Sequence, residues 1–333
     1  LLRPYLEYHR VLHEGVFAAA TALYGITFHA RPDLRGFTPD SEVYEVREAD
    51  GTPLGAVILD PFTRPTKRGG AWMTSVVDQS DLTGALPVVT NTCNFTRPAE
   101  GAACLLTWDN VITMFHEFGH ALHGLLSEVR YPSRSGTAVP RDFVEFPSQV
   151  NELWAWDETL ISRFAIHHAT GEPLPSGLVA RLRASRSAGE GHHTLELVAA
   201  MLLDQAWHTT ALEELPTSVD EVESFETAAL ERAGVAHALV PPRYRSCYFS
   251  HIFGSGYAAA YYGYLWAEVM DADACAWFAE NGGLCRKAGE HFRRELLGRG
   301  GSIEPMQAWR HFRRAEPDVS HLLSRKGLPV EQR

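Results

Sequence analysis

The sequence predicts a mainly α-helical protein, with one small β-sheet near residues 40–107 and a helical body over residues 108–333. Apolar residues after Trp108 recur at the helical period, which is typical of packed helices. Between residues 40 and 107, short apolar and β-branched runs alternate with turn residues, which favours strands. Hydrophobic residues make up 45% and charged residues 21% of the 333 residues, a composition typical of a globular chain.

The sheet is predicted from a hairpin and two further strands. Residues 43–46 and 54–59 flank the dipeptide Asp50-Gly51, which favours a tight turn between antiparallel strands. Two more strands are predicted over residues 88–93 and 102–107. The sequence leaves open whether residues 88–95 form an interior strand or an edge strand that pairs with a peptide.

Helices are predicted before and after this sheet. The first covers residues 1–24 and ends at Gly25, a typical stop residue. The later ones cover residues 111–128, 143–166, 178–186, 194–212, 219–233 and 257–270, and a final helix begins near Glu304-Pro305 and ends at Gly327. The segment 257–270 carries aromatic residues on every face, so we expect it to be buried.

Charge and cysteine content exclude several classes of partner. Lys and Arg number 30 against 41 Asp and Glu, and a net charge of −11 would repel a phosphate backbone, so no nucleic acid partner is expected. The longest apolar stretches, residues 16–24 and 257–267, are shorter than the roughly 20 residues of a membrane span, so no membrane partner is expected. Five cysteines without a CxxC pair, and no visible signal peptide, predict a cytoplasmic protein with free thiols.

An HExxH motif indicates a metal site on one of the predicted helices. His116 and His120 are four residues apart, so both imidazoles lie on one helical face, and Glu117 can reach a metal-bound water. Apolar residues flank the motif, and two buried histidines need a partner. The alternative is a helix with two core histidines and an exposed glutamate.

Catalytic zinc takes three protein ligands and leaves a fourth position for water. His123 does not extend the motif to a third histidine, because position 126 is leucine. Glu145 follows 25 residues after His120 between bulky apolar residues, and we predict it as the third ligand. A salt bridge or a helix-terminal charge is the alternative role for Glu145. Glu152 is a second acidic candidate, predicted to orient a ligand or to be structural.

A segment rich in tyrosine and glycine supplies further candidates. Tyr257, Tyr261 and Tyr264 fall on one face of the predicted helix, and a tyrosine hydroxyl near zinc can donate to a developing oxyanion. A stripe of core aromatics is the alternative. The glycines just before Tyr257 suggest a loop that moves or approaches a ligand backbone.

Three motifs together resemble the thimet oligopeptidase family of zinc metallopeptidases, and the resemblance covers nearly the whole chain. They are His-Glu-Phe-Gly-His-Ala-Leu-His at residues 116–123, Phe-Val-Glu-Phe-Pro-Ser-Gln at 143–149, and Gly-Tyr-Ala-Ala-Ala-Tyr-Tyr-Gly-Tyr-Leu-Trp at 256–266. Residues 68–73, 241–245 and 316–319 resemble its bacterial peptidyl-dipeptidase subgroup. The resemblance implies a helical zinc-metallopeptidase domain split by a deep channel, with short unstructured peptides as substrates.

The resemblance also implies roles for individual residues. One Zn²⁺ would be held by His116, His120 and Glu145, with Glu117 as the catalytic base. Tyr264, with Tyr257 and His251 nearby, would assist the transition state. Release of C-terminal dipeptides would require a group that binds the free carboxylate, and the candidates are Arg243 and Arg245, whose alternative is a solvated turn. Gly256 and Tyr261 are further substrate-binding candidates.

Family members are about twice as long as this chain, so residues 1–333 are expected to be the C-terminal catalytic portion. The N-terminal half, which forms the opposite channel wall, would be absent and is a candidate partner. Zinc-dependent release of C-terminal dipeptides is the predicted function. The alternatives are an endo-acting oligopeptidase and a catalytically inactive zinc-binding fragment.

Overall fold

The structure is a computed structural model that describes residues 1–185 and 188–329, and it confirms a mainly helical protein with one small sheet. The last residue of the predicted helix 178–186 and residues 330–333 of the predicted helical body lie outside the described residues. In the part of the chain that the structure describes, no helix combines the length and apolar character that a membrane span requires.

The sheet has five strands: β1 Thr27–Ala30, β2 Glu42–Arg47, β3 Pro53–Phe62, β4 Trp72–Val77 and β5 Val88–Phe95. Their order across the sheet is β1-β2-β3-β5-β4, in which β3 and β5 are parallel and the other neighbours are antiparallel. The predicted hairpin is confirmed, since β2 pairs with β3 and Gly51 adopts a φ of 88° in the turn. Glycine adopts this left-handed conformation without a Cβ clash.

Three features of the sheet differ from the prediction. The sheet includes β1 and β4, which the sequence did not indicate because β1 has only four residues and the apolar residues of β4 occur in consecutive pairs rather than alternately. Residues 102–107 are not a strand, since Leu105 makes a single isolated bridge with Glu7. β5 lies between β3 and β4, so residues 88–95 form an interior strand and β4 occupies the edge.

The helices occupy most of the remaining chain. They are α1 Tyr8–Arg10, α2 Ala18–Tyr24, α3 Trp108–Leu125, α4 Arg141–Glu152, α5 Glu158–Phe164, α6 Ser176–Ala184, α7 Glu190–Thr209, α8 Val219–Arg232, α9 Ser250–Gly254, α10 Gly263–Glu280, α11 Arg286–Glu295, α12 Pro305–Arg313 and α13 Val319–Arg325. A π-helical segment, Val11–Phe17, joins α1 to α2, and Gly25 ends α2 in the left-handed conformation as predicted.

Several predicted helices are wrong in extent. The helix predicted over residues 1–24 is continuous only from Tyr8, and the predicted final helix is divided into α12 and α13 because Arg314 ends α12 in the left-handed conformation. The helix predicted over residues 143–166 is interrupted by a 3₁₀ turn, Leu153–Trp156, after which Asp157 caps α5 by accepting the N–H of Leu160. The helix predicted from residue 257 starts at Gly263, and the residues before it form turns. The predicted burial of this segment holds only in part: Tyr257 and Tyr261 are buried, whereas Tyr262 and Trp266 are 45% and 39% exposed. Aromatic content also carries no information about where the helix begins.

The core places α3 between the sheet and α4. Glycine at position 119 lets α4 approach α3 closely, because a Cβ there would lie 2.6 Å from the Cα of Ser148. Two buried amides reinforce this contact: Asn151 donates to the carbonyl of Phe115 at 2.6 Å, and Asn91 of β5 donates to the carbonyl of Glu117 at 2.8 Å. The helix that carries HExxH is thus held on both sides.

Candidate active site

Two histidines of α3 and one glutamate of α4 meet at one cavity. His116 and His120 lie on the same face of α3, and the Nε2 atom of each lies 3.2 Å from Oε2 of Glu145. Glu145 is 4% exposed, so its carboxylate faces the histidines and not solvent. The fold therefore brings the three predicted metal ligands together, although they come from two helices.

Both distances from an imidazole nitrogen to the carboxylate match those around one divalent ion, and all three donor atoms lie within 4.8 Å of one another. Three donors about 2.0–2.2 Å from a tetrahedral ion lie ~3.4 Å from one another, close to the observed 3.2 Å. Two imidazoles and one carboxylate also match the donor set of catalytic zinc sites. Burial alone would raise the pKa of Glu145, but hydrogen bonds with both imidazoles hold it well below its ordinary value. The carboxylate is therefore kept in the charged form that binds a metal.

Further contacts orient these side chains. Nδ1 of His116 lies 2.7 Å from Oε1 of Glu152, which leaves its Nε2 directed at the site. The hydroxyl of Tyr257 donates to Oε1 of Glu145 at 2.5 Å, so the other oxygen of that carboxylate faces the histidines. Contacts of this kind, made by the part of a ligand that faces away from the metal, fix the orientation of the ligand and raise the metal affinity.

Glu117 is buried beside these groups and has a free oxygen. Its side chain is 6% exposed, and its Oε2 atom has no hydrogen-bond partner among the described residues. Burial raises the pKa of the Glu117 carboxyl above its ordinary value. A buried carboxylate with an unpaired oxygen and a raised pKa is suited to accept a proton.

Two of the three predicted tyrosines line the cavity. The rings of Tyr257 and Tyr264 stack with centroids 5.4 Å apart, and both side chains face the histidines and glutamates. Burial and the charge of Glu145 raise the pKa of Tyr264 well above its ordinary value, so its hydroxyl remains a proton donor. Tyr261 is 3% exposed, packs against Phe249 and Tyr264, and is not among the described residues that line the cavity.

A buried aspartate of α7 holds the loop that carries these tyrosines. Asp204 is fully buried, and its two carboxylate oxygens accept the N–H groups of Ala259 and Tyr261, each at 2.9 Å. Ala259 adopts a φ of 54°, a strained conformation for a residue with a side chain. These contacts explain why the tyrosines approach one another through turns and not along one helical face.

The remaining predicted residues occupy different surroundings. His251 lines the cavity, its Nδ1 has no hydrogen-bond partner among the described residues, and burial lowers its pKa. The guanidinium of Arg245 is bound by the carboxylates of Glu226 and Glu223. Nη1 of Arg243 lies 3.7 Å from Oε1 of Glu196. Neither Arg243 nor Arg245 is among the described residues that line the cavity.

The sequence analysis missed two other arginines that do line the cavity. Arg141 is the first residue of α4, and its guanidinium carbon lies 5.0 Å from the ring centroid of Tyr257. Arg68 lies in the loop before β4, with its guanidinium 4.3 Å from the ring of Trp72. Arg141 lies four residues before Glu145 at a helix start, where a cation opposes the helix dipole, and this unfavourable placement could have marked it.

Gly256 lies beside one of these arginines. It adopts a φ of 83°, and a Cβ added there would come 3.2 Å from Nη2 of Arg141. The position therefore requires glycine both for its backbone conformation and for the space that the guanidinium occupies.

The cavity that these residues line has a volume of about 490 Å³. One side is formed by the loop 68–71 and the start of β4, the floor by α3 and α4, and the other side by residues 250–264. The fold is helical with one small sheet, and its open cavity holds a His-His-Glu set beside a glutamate with an unpaired oxygen. These features together are typical of the metallopeptidase class.

Comparison with known proteins identifies the family. The sequence model of Peptidase family M3 matches residues 1–328, and the chain belongs to this family.

Relatives and a solved structure agree with this assignment. The chain is 44% identical to dipeptidyl carboxypeptidase of Escherichia coli (strain K12), over 99% of this chain and 48% of that protein. It is 38% identical to oligopeptidase A of the same strain, over 98% of this chain and 48% of that protein. The chain thus spans about half the length of these curated relatives. The BsuCP crystal structure has a similar fold, with a TM-score of 0.53 and 13% identity over 81% of this chain and 53% of that one.

Proposed function

We propose that this chain is the catalytic portion of a zinc peptidase that hydrolyses short unstructured peptides and releases dipeptides from their C-termini. The observation that carries the proposal is the convergence of His116, His120 and Glu145, with the unpaired Oε2 of Glu117 at the same cavity. A purely structural metal site would have no use for a buried, unpaired carboxylate.

His116, His120 and Glu145 would hold the ion. When bound, zinc lowers the pKa of a coordinated water towards ~7 and polarises the scissile carbonyl. Glu152 and Tyr257 keep the imidazole of His116 and the carboxylate of Glu145 in the orientation that binding requires.

Glu117 would take a proton from the attacking water as its oxygen adds to the peptide carbonyl carbon. The same carboxyl group then returns the proton to the amide nitrogen as the C–N bond breaks, so the products are a carboxylate and an amine. The hydroxyl of Tyr264 faces the same cavity and would donate to the oxyanion, with Tyr257 and His251 beside it.

The edge of the sheet would bind the peptide backbone. Among the described residues, β4 has a paired neighbour on one side only, and its first residues, Trp72 and Met73, line the cavity. An extended peptide could add to this edge by main-chain hydrogen bonds, a mode that recognises backbone rather than sequence. Unstructured peptides meet this requirement because their backbone groups are free.

Two observations bear on the mode of cleavage. Dipeptidyl carboxypeptidase from Escherichia coli is 44% identical to this chain, which favours removal of C-terminal dipeptides. Oligopeptidase A at 38% identity supports the second candidate, an endo-acting oligopeptidase. The chain spans about half the length of each relative. The third candidate is therefore a fragment that binds zinc but is inactive without an N-terminal half.

The test is hydrolysis of a decapeptide by the 333-residue chain and its Glu117→Gln variant, with products identified by mass spectrometry. We expect stepwise loss of C-terminal dipeptides from the parent chain. The variant should keep its zinc but lose nearly all turnover, because the amide cannot accept the proton. A chelator should abolish the parent activity.

The other outcomes separate the alternatives. A single internal cut would indicate the endo-acting candidate, and bound zinc without turnover in the parent chain would indicate the inactive fragment. Unchanged hydrolysis by Glu117→Gln would remove Glu117 from its proposed role.

A further inference from the structure

The rim of the cavity carries two guanidinium groups that are not neutralised. Neither Arg68 nor Arg141 has a carboxylate partner within ion-pair distance among the described residues, although the chain has a net charge of −11. By contrast, Arg243 and Arg245 both lie beside carboxylates. Unpaired guanidinium groups that line a cavity are suited to bind an anionic ligand.

The charge inside the cavity strengthens this expectation. Glu117 and Glu145 together would balance one divalent ion, so Arg68 and Arg141 leave an excess of positive charge. The cavity would therefore attract a substrate with a negatively charged end more strongly than a substrate whose end is neutral. A peptide has one such group that is independent of its sequence, the free C-terminal carboxylate.

Arg141 has the better-defined position of the two. It lies on the same helix as Glu145, one turn earlier, which corresponds to ~6 Å along the helix axis. Its guanidinium lies over the face of Tyr257, whose hydroxyl is bonded to Glu145. The glycine at position 256 leaves the space in which the guanidinium sits.

One tyrosine ring links the guanidinium to the metal ligands, since Arg141 lies 5.0 Å from the ring centroid of Tyr257 and the hydroxyl of that ring lies 2.5 Å from Oε1 of Glu145. Two residues of extended chain span ~7 Å, so a peptide with its scissile carbonyl at the metal ligands would bring a carboxylate two residues later into the part of the cavity that Arg141 lines. A guanidinium can bind that carboxylate with two parallel N–H···O hydrogen bonds.

We propose that Arg141 binds the free C-terminal carboxylate of the substrate and thereby sets cleavage two residues from the end of the peptide. The inference rests on the proposed peptidase function and adds the residue that selects the substrate class. It replaces Arg243 and Arg245 in the carboxylate-binding role.

The test compares an N-acetylated pentapeptide as the free acid with the same peptide as its C-terminal amide, using the zinc-loaded 333-residue chain. We expect the parent chain to prefer the acid. Arg141→Gln should lower kcat/KM for the acid by about 10- to 100-fold, the range for one lost charge-assisted contact, and leave the amide unchanged. Arg141→Lys should retain part of the preference. Arg141 is exposed, so these variants should fold.

Arg68→Gln is the matched control, because it removes the other unpaired guanidinium of the same cavity. It should lower the acid-to-amide ratio much less than Arg141→Gln does, because it removes charge from the cavity but no direct contact with the carboxylate. Loss of the preference in Arg68→Gln and not in Arg141→Gln, or equal loss of acid and amide hydrolysis in Arg141→Gln, would overturn the proposal.

A binding measurement separates this proposal from the peptidase function. Calorimetry of Ala-Ala and Ala-Ala amide should show preference for the acid in the parent chain and none in Arg141→Gln. If no peptide is hydrolysed but this preference is observed, the peptidase proposal fails and only the binding of the carboxylate by Arg141 stands. If acid and amide are hydrolysed equally well, the peptidase function stands and the role of Arg141 fails.

Discussion

Tyr257 and Tyr264 lie side by side but contact different groups, so they should have different effects when changed. Tyr257 donates its hydroxyl hydrogen to Oε1 of the predicted ligand Glu145, whereas Tyr264 stacks on Tyr257 and faces the cavity. One phenol therefore supports the metal site, and the other is available to the substrate.

The phenylalanine variants test this division. Tyr257→Phe should weaken zinc binding by about 10- to 100-fold, because it removes a contact that orients Glu145. Tyr264→Phe should retain zinc affinity and lower kcat by about 10²- to 10³-fold, as loss of an oxyanion donor does. Competition with a chromogenic chelator measures the zinc affinity of both variants, and steady-state kinetics at saturating zinc measure kcat of Tyr264→Phe. Wild-type kcat in Tyr264→Phe would reduce that residue to a packing role.

At the scale of elements, a histidine links the N-terminal helix to the sheet. Nε2 of His9 in α1 lies 3.2 Å from Oε1 of Glu42 in β2, and Nδ1 lies 3.6 Å from Oε1 of Glu7. Hydrogen bonds with Glu42 and then Glu7, opposed by burial, raise the pKa of His9 to about 10. Protonated His9 therefore stabilises the contact between helix and sheet at neutral pH.

This pKa predicts how stability depends on pH. Because the folded pKa is raised above the unfolded value of ~6.5, the stabilisation is complete below that pH and is lost as pH rises through about 10. The side chain of His9 is 57% exposed, so screening limits the effect to about 1 kcal/mol or less. Urea unfolding should show His9→Gln less stable than the parent chain at pH 6 and equal to it at pH 10.5.

His29→Gln provides the matched control, since the ring of His29 contacts the hydroxyl of Thr27 and not a carboxylate. A destabilisation by His9→Gln that is the same at both pH values would assign the effect to packing against the ring of Tyr8.

For the whole molecule, the metal should contribute to folding stability as well as to chemistry. An ion that binds only the folded chain at a thousand times its Kd stabilises it by ~4 kcal/mol. Its ligands come from α3 and α4, which cross in the core, so unfolding must separate them. Removal of the metal should therefore lower the unfolding temperature of the entire domain by several degrees.

Calorimetry with and without a chelator checks this expectation. Glu117→Gln should show the same drop in Tm as the parent chain, because Glu117 is not a proposed ligand. Glu145→Gln should show little or none. An equal drop in Glu145→Gln would mean that the chelator acts elsewhere or that Glu145 does not hold the ion.

The sequence determined the fold class, the family resemblance and the three residues that converge in the structure. These features depend on local periodicity and on short motifs, because helical spacing alone places His116 and His120 on one face. The start of α10, the edge position of β4 and the unpaired state of Arg141 were decided by tertiary structure. The start of α10 depends on Asp204, which binds backbone groups more than 50 residues away, and β4 depends on pairing with β5. Whether an arginine has a carboxylate partner likewise depends on which distant segments pack beside it.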